Sequence, residues 1–203
     1  LRFNTTGAPD IRIGSGGENP LGSTGHTVTD EMTINIHFRH DEDTDGTLGY
    51  SENLIMSTER FFLEIQTDGT VKYRQYWDTN SYVELQTASR IATDGNTPNN
   101  IMITFDANLT SGNLKMFMDG KLEDQSGEVI LADSGTANTG WLYGANLETN
   151  NEIIHLGNQI PSTANDEFQG VLEEFVIYNK CLYPVNVKSG KFTLTKPFEE
   201  VAT

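Results

Sequence analysis

Two alternating runs, residues 60–66 (RFFLEIQ) and 71–77 (VKYRQYW), flank a Thr-Asp-Gly-Thr turn at 67–70. Asp-Gly between alternating runs is the strongest short-range signal for a β-hairpin. Val71, Tyr73, Gln75 and Trp77 share one face of the second run, so the pair reads as strands with one side turned to a core. The pattern recurs. Met32, Ile34, Ile36 and Phe38 alternate along one face of residues 32–38. Residues 53–56, 82–85, 99–106 and 113–119 read as further strands, the last turning at Asp119-Gly120-Lys121. No run shows a sustained helical period, so the chain is expected to be all-β.

Residues 1–3, 11–13 and 191–196 are weaker strand candidates, and the last is expected to pair with the N-terminal one. Residues 168–182 (FQGVLEEFVIYNKCL) read as a central strand buried on both sides. Strict alternation sets Val171, Phe175 and Ile177 on one face and Leu172, Val176 and Tyr178 on the other. Glu173 and Glu174 then fall on opposite faces, and a carboxylate inside a sheet needs a fixed partner. Pro184 is expected to end regular pairing.

With 203 residues the chain suits one sandwich with a sizeable core. It has 13 basic against 29 acidic residues, a net charge of −16. Nucleic acid, anionic membrane surfaces and sulfated glycans are poor partners for such a chain. No run of about 18 apolar residues is present, so no helix is expected to span a membrane. Cys181 stands alone, which excludes an intrachain disulfide and fits a buried thiol. The first residue is Leu1 rather than Met, so the chain is expected to be part of something longer.

Several segments carry a family resemblance. A Thr-Phe-Asp strand end at 104–106 is followed by Gly-x-Leu-x-x-Phe-x-Asp-Gly-Lys at 112–121. Ile154-His155-Leu156-Gly157-Asn158 precedes a last strand with Phe168, Gly170, two acids and Ile177-Tyr178-Asn179. Taken in order, these resemble the laminin-G-like, concanavalin-A-like superfamily. The resemblance implies a two-sheet antiparallel jelly-roll sandwich over residues 1–183, with 184–203 a C-terminal strand and the start of a linker. That fold hosts lectins, adhesion modules, glycosidases and virion parts.

Residues 41–52 (DEDTDGTLGYSE) match D-x-[DN]-x-[DN]-G-x5-E, the spacing of a calcium loop. The pattern makes Asp41, Asp43 and Asp45 candidate Ca2+ ligands, with Glu52 expected in the next strand; the alternative is a solvated acidic turn. No Glu-x-Asp-x-x-Glu strand is found, and no catalytic residues are assigned. His37 and His40 are three apart, on opposite faces, and make a poor metal pair. The aromatic candidates for ligand contact are Trp77, Tyr82, Trp141 and Tyr143, since sugars stack their C–H faces on such rings; for Trp77 and Tyr73 a core position is favoured. Asn4-Thr5-Thr6 and Asn108-Leu109-Thr110 fit the glycosylation pattern.

Three functions follow. The first is a non-catalytic recognition or adhesion module for a glycan or surface protein, extracellular or displayed on a cell surface or virion. The second is a structural module of a surface or virion assembly. The third is a glycoside-processing domain, which requires two carboxylates in a cleft.

Overall fold

The computed structural model describes residues 2–3, 11–13, 31–41, 48–57, 61–76, 82–106, 109, 112–126, 154–157, 167–178, 180–188 and 191–195. The strands in this set are β1 (Arg2–Phe3), β2 (Ile11–Ile13), β3 (Glu31–His40), β4 (Glu52–Ser57), β5 (Phe61–Ile65), β6 (Val71–Tyr76) and β7 (Tyr82–Gln86). They continue with β8 (Asn99–Asp106), β9 (Leu114–Met118), β10 (Lys121–Gln125), β11 (Ile154–Leu156), β12 (Gly170–Tyr178), β13 (Tyr183–Lys188) and β14 (Lys191–Thr195). One six-stranded sheet has the order β1-β12-β3-β8-β9-β10 and the other β2-β11-β4-β5-β6-β7. Both are antiparallel throughout, and the molecule is the expected two-sheet sandwich.

The alternating faces meet in the middle. Met32, Ile34, Ile36 and Phe38 of β3 are sealed from water together with Ile101, Ile103 and Phe105 of β8. Leu63, Ile65, Val71, Tyr73 and Leu85 supply the opposing sheet. Tyr73 is a core residue, as read from the sequence, and its hydroxyl donates to Gln75 Oε1 at 3.1 Å. Cys181 is buried. Asp119 and Gly120 both have positive φ, 49° and 78°, the backbone of a tight two-residue hairpin between β9 and β10.

Strand β12 departs from the sequence reading. It is second from the edge, between β1 and β3, and only its first residues are fully buried. Its register against β3 shifts between Leu172 and Glu174. The bulge adds one residue, so Leu172, Phe175 and Ile177 all face the core while Val171, Glu174 and Val176 face out. Glu173 and Glu174 are both exposed, and both have partners: Glu173 Oε1 lies 2.7 Å from Arg39 Nε, and Glu174 Oε2 lies 3.7 Å from His37 Nε2.

The C-terminal pairing also differs. β14 pairs with β13 in a separate two-stranded sheet, while β1 pairs with β12. Pro184 does not end pairing; it sits within β13 opposite Leu194, where a ladder of only two strands tolerates its missing N–H. The chain leading into this hairpin is tied to the outer face of the first sheet. Thr33 Oγ1 donates to Lys180 O at 2.8 Å and accepts from Leu182 N at 2.9 Å, and the Tyr183 ring meets Phe117 edge-on.

At the opposite side of the sandwich, Glu123 joins the sheets. Its carboxylate accepts from Ala88 N, Ser89 N and Ser89 Oγ at 3.0, 2.8 and 2.9 Å, and Lys121 Nζ lies 2.9 Å away.

Candidate functional site

The core face of β3 runs Met32, Ile34, Ile36, Phe38 and then His40, so the strand delivers an imidazole to a position whose pattern is apolar. A buried ring nitrogen must find a partner. Glu52, the first residue of β4, provides it: its Oε2 lies 3.0 Å from His40 Nε2, with side-chain exposures of 4% and 3%. His40 Nδ1 lies 2.7 Å from Asp41 O. A carbonyl oxygen only accepts, so Nδ1 carries a proton, and when the ring is protonated Nε2 donates to Glu52 as well. Burial alone would lower the His40 pKa, but the hydrogen bond and charge of Glu52, with smaller contributions from Asp41, raise it above its ordinary value.

The same Oε2 accepts Gln169 N at 2.9 Å, which ties the segment before β12 to β4. Asp41 N donates to Gln169 O at 3.0 Å, and the Gln169 side-chain amide donates to the Tyr50 hydroxyl. Arg2 Nη2 reaches both oxygens of Asp41 at 2.9 Å, fastening β1 to the end of β3. Beneath this network Phe168 packs edge-on against Phe3, Phe38 and the His40 ring. Gly157 makes room for that cluster. Its φ is +78°, and a Cβ there would lie 2.3 Å from the Phe3 ring.

These contacts wall a pocket of about 240 Å³ lined by His40, Asp41, Leu48, Gly49, Tyr50, Glu52 and Gln169. The cavity is smaller and more polar than a typical small-molecule pocket. Its two carboxylates are both paired, Asp41 with the Arg2 guanidinium and Glu52 with the His40 ring.

Of the residues singled out in the sequence, Asp41 lines this pocket and is held by Arg2. Glu52 opens β4, as expected from the sequence. Asp43, Asp45, Trp77, Trp141 and Tyr143 lie outside the described residues. Among the described residues no group of three or more His, Cys, Asp or Glu side chains is placed to hold a metal ion. Tyr82 is 48% exposed, with the Arg74 guanidinium 4.3 Å from its ring centroid. It pairs with Tyr76 at one end of the second sheet, whereas Glu52 pairs with Ile65 at the other, so Tyr82 and the pocket are separate.

His40, Tyr50 and Gln169 were not selected from the sequence. The available signal was His40 itself, in phase with four core residues and therefore in need of a buried partner.

No protein-family model and no curated protein matches the chain. Solved structures do. The CBM40 of the Ruminococcus gnavus IT-sialidase bound to alpha2,3 sialyllactose is similar at a TM-score of 0.51 and 17% identity, over 76% of this chain and 78% of that one. The binding domain of Botulinum neurotoxin DC in complex with rat synaptotagmin II is similar at 0.56 and 16%, over 85% of this chain and 37% of that one. The binding domain of Botulinum neurotoxin DC in complex with SialylT gives 0.54 and 18%, over 85% and 40%. At these identities the likeness is one of fold, a β-sandwich. Among the described residues no helix is long and apolar enough to cross a membrane.

Proposed function

We propose that this chain is a non-catalytic recognition module that holds a glycan in the pocket between β3, β4 and the start of β12, and that it works outside the cell, on a cell surface or a virus particle. The observation that carries this reading is the convergence of His40, Asp41, Tyr50, Glu52 and Gln169 on one small cavity at the end of a lectin-like sandwich. Hydroxyl-rich ligands are bound by such fixed acceptors and donors at low entropic cost. The similarity to a CBM40 and to toxin binding domains supports a binding role. Trp141, Tyr143, Trp77 and Tyr82 are proposed as supplementary stacking surfaces, and Asp41, Asp43 and Asp45 as a calcium loop.

The test is a glycan array probed with the folded chain, first in calcium and then in chelator, alongside Gly49→Trp. Gly49 is exposed, and a Cβ added there meets nothing within 4 Å, so the indole would fill the pocket mouth without disturbing the core. Binding that Gly49→Trp abolishes supports the reading. Loss in chelator assigns calcium to the loop, and binding that survives chelation removes calcium from the account. A folded chain that binds no glycan in either buffer sinks the reading and favours a structural module making protein contacts.

A further inference from the structure

We infer that the free edge of β12 is a docking surface for a second copy of this chain, paired with it antiparallel about a twofold axis at Val176. β12 is nine residues long, but β1 pairs only with Gly170 and Val171 at its start. Past the bulge, residues 174–178 pair regularly with β3, from His37 to Thr33. Among the described residues no strand pairs with that stretch on its other side. Its outward backbone N–H and C=O groups are therefore a template for another strand. Residues following Phe3 in the line of β1 lead away from it, because Arg2 lies opposite Val171 and Phe3 opposite Gly170. Beyond Tyr178 the chain turns over the outer face of β3, where Thr33 holds Lys180 and Leu182, and so leaves this edge.

The residues of the stretch say what fits there. Edges that face water are usually kept short or carry charge, proline or a bulge. β2 has three residues, β10 carries Lys121, Glu123 and Asp124, and Asp124 Oδ2 covers β7 by accepting Gln86 N at 2.9 Å. Phe175, Val176, Ile177 and Tyr178 have no charge, and all four are only partly buried, although Phe175 and Ile177 pack against the core. Glu173 and Glu174 stand before this run and Lys180 after it, all three exposed. A second copy laid antiparallel, with Val176 opposite its own counterpart, sets Phe175 opposite Ile177 on the core side and Glu174 opposite Tyr178 on the outer side. The carboxylates of each copy then lie toward the Lys180 end of the other, whereas a parallel copy would set acid against acid. The order acid, apolar, base is thus complementary to itself, and the contact is isologous. Gln169 of the pocket lies just before β12, so the two pockets of such a dimer sit at opposite ends of the joined sheet.

Analytical ultracentrifugation tests this, in about 0.15 M salt, where the net charge of −16 is screened beyond about 8 Å. Wild type is expected to pass from monomer towards dimer as its concentration rises from about 1 to about 200 µM. Val176→Lys and Val176→Glu, each checked for folding by circular dichroism, should stay monomeric, since residue 176 then meets its own charge across the axis. An equimolar mixture of the two should restore a dimer with one copy of each, at least about tenfold tighter than either variant alone. Wild type that stays monomeric throughout overturns the inference and leaves the edge to a strand of another protein. A dimer that both folded variants retain overturns it by placing the contact elsewhere. A mixture that stays monomeric overturns it by removing the twofold register.

Discussion

Glu52, the first residue of β4, holds the Nε2 of His40, the last residue of β3, at 3.0 Å with both side chains sealed from solvent. One contact thereby joins the two sheets, since β3 and β4 belong to different ones, and sets the back wall of the pocket.

Removing one partner leaves the other charge buried. His40→Ala or Glu52→Ala should each cost about 3–5 kcal/mol, read from urea unfolding at neutral pH. The double change to Leu at both positions should be less damaging than the sum, because no lone charge remains. Additive losses would show that the pair is not coupled.

The pair also makes stability depend on pH. The folded His40 pKa lies above its ordinary 6.5, so the folded protein holds this proton where the unfolded chain has released it. The stabilisation is fully present below the unfolded value and is lost as pH rises through the folded one. Thermal melts over the range above about pH 6 should therefore show wild type losing its advantage over the doubly Leu-substituted protein as pH increases. An advantage that grows with pH over that range contradicts the assignment.

Gly157→Ala should destabilise by about 2–4 kcal/mol, combining an unfavourable positive φ with overpacking against Phe3. Gly49→Ala is the matched control, with open space around the new methyl group and an expected change within about 0.5 kcal/mol. Equal denaturation midpoints for the two variants would refute this packing account.

Glu123 predicts a local effect. Burial pushes its carboxyl pKa up, but the bonds from Lys121 and Ser89 outweigh that and hold it below the ordinary range. Glu123→Ala should cost about 2–3 kcal/mol through the lost charge-assisted bonds. Hydrogen exchange should quicken at the amides of Ala88 and Ser89, which it binds, before it quickens in the core strands. Unchanged exchange at those amides would mean that Glu123 does not hold this edge.

Most strands were legible because one face of each is apolar and the other is not, as in Met32 to Phe38. β10 was missed for the complementary reason: Leu122 is the one apolar residue of Lys121–Gln125 and it is exposed, so no alternation marks the strand. The bulge in β12 was invisible because both of its possible phases are apolar, and only the partner strand β3 decides between them. The pocket was legible in part. Asp41 and Glu52, the two ends of the run read as a calcium pattern, line the pocket. Their places in it depend on Gln169, which bonds Glu52 across 117 positions of sequence, and on Arg2, which bonds Asp41 across 39. Contacts at that separation leave no local signature.

Those separations have a temporal consequence. During synthesis the first sheet cannot close until β12 has emerged, because β1 and β3 both pair with it. Thr33 waits even longer, for Lys180 and Leu182, 147 and 149 residues later. A nascent chain therefore has hairpins but no pocket, and the site forms among the last events of a slow, non-local folding reaction. A chain interrupted before residue 169 would carry His40, Asp41 and Glu52 intact and still lack the wall that closes the pocket around them.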